Sequence, residues 1–248
     1  MTKVVILFSI YSLKGLFLQK HDLQMIRRAF LIFIAFFAVN TGAQAQGYYC
    51  DRQGARLEYV RKNIKDGSTE WRHIMNITDV RKGSDGTEIT SASTFLKANG
   101  KPYYKGDIIE QVVLRPNNDV WVDMEAVTIN YVKGRSGLNA TADAQPSILP
   151  ADMAPGDTLP QVTGKGKVSL LSFSFHIWDR KVLREETISL PAGTFKCVVL
   201  EEHRKENAPG NNREVLNHTW YSKGVGMVRH DTYINGKLDT SETLVQIK

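Results

Sequence analysis

Cysteine is nearly absent. The 248-residue chain has two, Cys50 and Cys197, and they do not form a Cys-x-x-Cys. That spacing argues against a catalytic redox pair. The motifs of common enzymes are missing as well. There is no His-Glu-x-x-His to hold zinc on a helix. Gly164-Lys165-Gly166-Lys167 lacks the long glycine loop and following helix of a phosphate-binding loop. Gly134-Arg135-Ser136-Gly137 is not the Gly-x-Ser-x-Gly of a nucleophile elbow. Asp123 and Glu125 fall on one face of an expected strand, but two carboxylates alone make no site. His73, His176, His203, His218 and His230 have no partner at metal-ligating spacing and read as surface or cross-strand residues. The expectation is therefore a protein with no catalytic residues, no metal and no cofactor.

Charge of one sign is also scarce. The formal net charge is +6, but residues 1–45 carry five basic residues and one acid. Without them the charge falls to +2, which gives little pull on a phosphate backbone and excludes nucleic acid as the expected partner. Long hydrophobic runs are missing too. The longest, Ala29 to Val39, has eleven residues, against the roughly 20 that a membrane-crossing helix needs. It follows Arg27-Arg28 and precedes Ala43-Gln44-Ala45, the arrangement of a secretory signal. Residues 25–45 are thus expected to be a cleaved signal peptide. Residues 1–24 read as an over-long gene start, and 46–248 as a single exported domain. Cys50 follows Gly47-Tyr48-Tyr49 rather than a lipobox, so the domain is expected to be periplasmic or in the cell envelope, soluble and not lipid-anchored. In an oxidising compartment an even cysteine count favours a Cys50–Cys197 disulfide, the alternative being two buried thiols.

What the chain has is alternation. Ile188 to Glu202, ISLPAGTFKCVVLEE, reads as strand, tight turn, strand with a period of two. Similar strands are expected over 55–63, 71–81, 87–97, 108–114, 120–127, 167–180, 215–221, 226–233 and 238–247. Between them lie turn signals such as Asp66-Gly67, Pro116-Asn117-Asn118-Asp119 and Asn235-Gly236. Residues 206–212 are expected as a wide turn. Ser136 to Gly166, with Pro146, Pro150, Pro155 and Pro160, is expected as a long connection without stable elements. No stretch after the signal has helical periodicity. The fold class is all-β: an antiparallel meander forming a curved, barrel-like sheet or flattened barrel with little helix.

Pro191-Ala192-Gly193-Thr194-Phe195-Lys196-Cys197 resembles the P-A-G-x-F-x-C hairpin of the DUF3108-like families. Trp220-Tyr221-Ser222-Lys223-Gly224-Val225-Gly226-Met227-Val228 resembles their W-Y-x-x-G-V-G-x-V segment, and Gly236-Lys237-Leu238 the hairpin after it. The likeness is best over 149–248. It implies an exported β-protein with a YmcC-like fold from a Bacteroides-type bacterium, and no known chemistry. Asp157-Thr158-Leu159 also resembles the O-glycosylation sequon of such bacteria.

The aromatic residues of the strands either pack a small barrel or line a wider one. In the second case Phe173, Phe175, Trp178, Phe195, Trp220 and Tyr221 are the candidates for lining an apolar cavity. Two readings of function remain open: a binding protein for a lipid-like or envelope-derived ligand, and an assembly partner that docks another envelope protein through a sheet edge or surface.

Overall fold

The computed structural model describes residues 46–248. The expected gene-start extension and signal peptide lie outside the described residues. The strands of the first half are β1 (Arg56–Asn63), β2 (Thr69–Gly83), β3 (Gly86–Leu96), β4 (Ile108–Leu114) and β5 (Val120–Val122). After the helix α1 (Met124–Ser136) come β6 (Ala140–Ala144), β7 (Ser147–Leu149), β8 (Thr158–Leu159) and β9 (Val162–Val168). The long strands β10 (Leu171–Leu190), β11 (Gly193–Ala208), β12 (Asn211–Ser222), β13 (Gly226–Ile234) and β14 (Lys237–Ile247) complete it. All pair antiparallel in one 14-stranded sheet, in the order β6-β9-β10-β11-β12-β13-β14-β1-β2-β3-β4-β5-β7, with β8 beside β10.

Most neighbours are sequential hairpins, so local turn chemistry sets the register. Asn235 and Gly236 both take positive φ, 50° and 73°, as the expected type I′ turn requires, and Ile234 faces Lys237 across it. The hairpin at Pro191 is present, with Leu190 opposite Gly193.

Four expectations need correction. The strand from Val120 stops at Val122, because Asp123 caps a helix instead. Its side chain accepts a hydrogen bond from the Ala126 amide (3.0 Å), Glu125 lies in the first turn, and Gly137 ends the helix at φ 77°. Asp123 and Glu125 therefore share no strand face. Second, the expected long connection holds four short strands, β6 to β9, which find partners only through the sheet. Third, the strand expected over 167–180 is present from Leu171 as the first half of β10, but the β9–β10 turn breaks its start, and 206–212 are a tight turn rather than a wide one. Fourth, the barrel does not close by hydrogen bonding: the sheet is an open path from β6 to β7.

Those two end strands are nevertheless consecutive in the chain, joined only by Gln145-Pro146. Proline has no N–H to donate to a ladder. A side chain bridges there instead. Arg180 of β10, with a side chain 2% exposed, donates to Ser147 Oγ on β7 (3.1 Å), to the Pro160 carbonyl (2.9 Å) and to Glu202 on β11 (3.3 Å).

The disulfide is absent. Cys50 and Cys197 are free, buried thiols in one hydrophobic core and are not at bonding distance. Burial pushes both thiols above their ordinary pKa, and Cys197 Sγ donates to the Phe195 carbonyl at 3.6 Å. Each acts as a small apolar core residue, the alternative left open by the sequence.

That core fills one end of the curled sheet. Leu57, Ile77, Ile89, Val112, Val120, Val182, Leu200 and Leu244 are almost wholly buried there, with Tyr48 and Cys50 from the segment before β1. Each such side chain contributes about 1.5–3 kcal/mol by leaving water.

Candidate functional site

Toward the other end the core gives way to a cavity of about 1000 Å³. Its position follows from the strand phases. In β1, Leu57, Tyr59 and Arg61 point to one face; in β2, Trp71, His73 and Met75 do. Along each strand the inward residues thus change from aliphatic to aromatic and charged.

His73 is the centre of the polar part. Its ring lies between Tyr59 (centroids 5.1 Å apart, planes 20°) and Phe95 (4.2 Å, 10°). The stack follows from register, since Tyr59, His73 and Phe95 are direct cross-strand partners on β1, β2 and β3. Nδ1 is 3.1 Å from Glu242 Oε1, and Nε2 is 3.0 Å from Ser93 Oγ. Arg61 reaches the same carboxylate (3.7 Å), donates to Glu70 (2.9 Å) and to Thr232 Oγ1 (3.3 Å), and lies over the Trp71 ring (4.7 Å). Arg61, His73 and Glu242 are all buried, so their mutual pairing is what makes the charges tolerable.

These contacts set the titration. Burial alone would raise the Glu242 carboxyl, but the His73 hydrogen bond and the Arg61 charge hold it below its ordinary value. At Glu110 desolvation outweighs the lowering effect of a His73 charge and of a hydroxyl donor. Burial raises its carboxyl, and its hydrogen bond comes from the Tyr131 hydroxyl at 3.4 Å. His230 is pushed down to about 4, first by desolvation and then by Arg61. The accessible part of its ring faces the cavity, and Nδ1 sits 2.8 Å from Thr219 Oγ1. Tyr104 and Tyr131 pack edge-on against Phe95 and extend the aromatic wall toward α1.

Of the six aromatic residues singled out in the sequence, Phe173, Phe175 and Tyr221 line this cavity. The first two lie over glycine backbone on β9: a methyl at Gly166 would collide with the Phe173 ring, and one at Gly164 with the Phe175 ring. Trp178, Phe195 and Trp220 are placed elsewhere. Trp178 stacks between His176 and His203 (4.9 and 5.3 Å), on the face opposite Phe175 and Ile177. Phe195 packs against the filled core. Trp220 lies under the Arg229 guanidinium (4.6 Å) with its indole N–H on Glu186.

Sequence reasoning missed Arg61, His73, Glu110, Tyr131, Arg180, His230 and Glu242. A usable signal was present: charged residues in phase with apolar ones. Arg61 follows Leu57 and Tyr59 at i+2 steps, and Glu242 precedes Leu244. The histidines expected as surface or cross-strand residues include His73 and His218, which are cross-strand partners: His73, buried, of Tyr59 and Phe95, and His218 of Glu201, at 2.7 Å. Thr158 of the sequon-like Asp157-Thr158-Leu159 is exposed beside β10.

Among the described residues, no group of three or more His, Cys, Asp or Glu is placed to hold a metal ion, and no helix is long and apolar enough to cross a membrane.

Comparison with known proteins gives a family and a fold. The family model described as DUF3108-like matches residues 52–244. A solved structure from Bacteroides fragilis, described as a candidate exported protein with a YmcC-like fold, superposes with a TM-score of 0.66 at 18% identity. It covers 82% of this chain and 99% of its own. A second, from Parabacteroides distasonis and described as a candidate lipoprotein, gives 0.64 at 21% identity with the same coverage. No curated protein matches the chain.

Proposed function

This chain belongs to the DUF3108-like family, and from that premise we propose that it is an exported cell-envelope protein that takes an amphipathic molecule into the cavity of its sheet. The observation that carries the reading is the make-up of that cavity. A volume of about 1000 Å³ is at the upper end for ligand pockets. Its lining combines apolar and aromatic surface (Phe95, Tyr131, Phe173, Phe175) with polar groups, the buried Arg61 and the half-buried Glu110 and His230. An apolar tail and a polar head would find complementary surfaces there.

The reading is non-enzymatic. Arg61, His73 and Glu242 engage one another, as do Arg180 and Glu202, and none is left as a free nucleophile or base beside a reactive partner. The neighbours' descriptions as an exported protein and a lipoprotein support the envelope location, with the chain itself taken as not lipid-anchored.

The test is native mass spectrometry of protein exported by a Gram-negative host and purified without detergent. A non-covalent adduct identified as a lipid or lipid-like molecule is expected. Val215→Trp places an indole in the cavity and should remove the adduct while keeping the fold. A clean mass, together with no displacement of a bound dansyl fatty-acid probe, would overturn the proposal.

A further inference from the structure

The exposed apolar side chains are not scattered over the surface. Among the described residues, the large hydrophobics with more than a third of their surface exposed are Ile64, Tyr103, Ile109, Leu138, Leu170 and Leu171. In an up-and-down meander, alternate turns fall at the same end of the sheet. The β1–β2 turn holds Ile64, and the β3–β4 connection holds Tyr103 and leads to Ile109. The β9–β10 turn holds Leu170 and leads to Leu171. Ala140 faces Val168, so Leu138 leaves β6 at the same end. Every one of the six is therefore at or next to one end. Single exposed apolar residues mean nothing, but a set gathered on one surface marks an interaction site.

Two further observations say what covers it. The cavity wall reaches the surface at this end, through the exposed Tyr103, Arg135 and Leu171, whereas the opposite end is filled by the core. The tips are also framed by exposed cations: Lys65 follows Ile64, Lys101 and Lys105 stand astride Tyr103, and Lys165 and Lys167 lead into Leu170. Of the acids at this end (Asp66, Glu70, Asp107, Asp143 and Asp239 among them), Glu70 is paired with Arg61, Asp239 with Arg213 and Asp143 with Lys165, and Asp107 accepts from Thr94 Oγ1. Leu170, at a hairpin tip, is 95% exposed.

Apolar tips set in a basic ring match an anionic lipid surface, where leucines enter the acyl boundary and lysines meet the headgroups. We propose that the end of the sheet where the cavity opens, with Leu138 and Leu170 at its tips, docks on an anionic bilayer. Docking there would bring the mouth of the cavity to the lipid.

The test is co-sedimentation of the exported chain with vesicles of phosphatidylglycerol and phosphatidylethanolamine, against phosphatidylcholine alone. Binding to the anionic vesicles is expected, weakened several-fold by 0.5 M salt through screening. Leu138→Asp with Leu170→Asp should weaken it at least tenfold, while Thr194→Asp at the opposite end should not. In Leu170→Trp, at a position too exposed to disturb the fold, indole emission should shift to the blue on the same vesicles. No vesicle binding, an unshifted indole, or equal loss in the Thr194 variant would overturn the proposal. So would a tip that captures a protein and leaves lipid untouched. Neither Leu138 nor Leu170 lines the cavity. Failure to dock is thus separate from failure to hold a ligand.

Discussion

Glu242 and His73 stand on either side of β1, and their side chains meet across it with 3.1 Å between Oε1 and Nδ1. Both are buried, and Arg61 from the intervening strand joins the same carboxylate. Removing the carboxylate leaves a guanidinium and an imidazole facing a site with one acid fewer. Glu242→Ala should therefore cost about 3 kcal/mol or more in urea unfolding, and Glu242→Gln less, because the amide still accepts from one partner. A cost below about 1 kcal/mol would mean that cavity water solvates the group as well as its partners do.

Stability should fall as pH drops from about 6.5 toward about 4, the interval between the unfolded value of His230 and its folded value. There the unfolded chain takes up a proton that the folded chain refuses, so stability rises with pH. Glu242 acts in the same direction at lower pH, since its depressed carboxyl stabilises the fold above the ordinary glutamate range and loses that contribution as it protonates. Thermal melts of His230→Gln should lose the upper part of this slope and keep the lower. An unchanged slope would exclude His230 as its source.

Both thiols should be counted in denatured, unreduced protein, and neither should react readily in the native state. Their raised pKa and burial keep the thiolate scarce. Reductant should leave the melting temperature where it is. Cys197→Ser should destabilise by about 1–3 kcal/mol, because a buried hydroxyl needs a stronger partner than a thiol does.

At Gly166 an added methyl meets the Phe173 ring and the Thr141 carbonyl together, and a carbonyl on the paired strand cannot move aside as a side-chain end can. Gly166→Ala should cost about 1–3 kcal/mol by overpacking and displace Phe173 from the cavity wall. Gly210, at the tip of the neighbouring turn, has open space around it but a φ of 76°. Gly210→Ala should therefore cost only about 1 kcal/mol, as backbone strain.

Arg180 should be the residue on which the seam depends. Arg180→Ala strands the Glu202 carboxylate and frees Ser147, so amide exchange should accelerate first in β7 and the β6 end of the sheet. Uniform acceleration through β10 and β11 would mean that the residue supports the whole sheet rather than the seam.

The parts of this fold that can be read from sequence are those that depend on neighbours in the chain. Hairpins such as Ile234–Lys237 and Leu190–Gly193 carry their turn chemistry and their alternation within a few residues. The helix α1 was hidden because only Gly134 on it is buried, so no apolar stripe marks it; its caps, Asp123 and Gly137, were the only local signs. Short strands β6 to β9 are separated by prolines (Pro146, Pro150, Pro155 and Pro160), β9 holds two glycines, and they pair only because the curled sheet offers partners, a tertiary effect that propensity does not record. The cavity was half legible. Phe173 and Phe175 fall on the apolar phase of β10, but the polar wall unites residues as far apart as His73 and Glu242. Trp178 alternates as regularly as Phe175 and Ile177 yet lies on the opposite face, and Trp220 is buried away from the cavity; alternation does not say which face is inside.

The pairing of β1 with β14 joins Arg56 to Lys248 by reciprocal backbone hydrogen bonds, across almost the whole described chain. Its consequence is kinetic. Every other seam between β9 and β4 closes a short loop and can form as soon as its two strands exist, whereas this one must wait for the last strand to emerge. Until then β1 is a bare edge next to an unfinished core, the state most open to pairing with another copy. Completion of the sheet, rather than growth of its hairpins, should set the rate at which the chain reaches its final form.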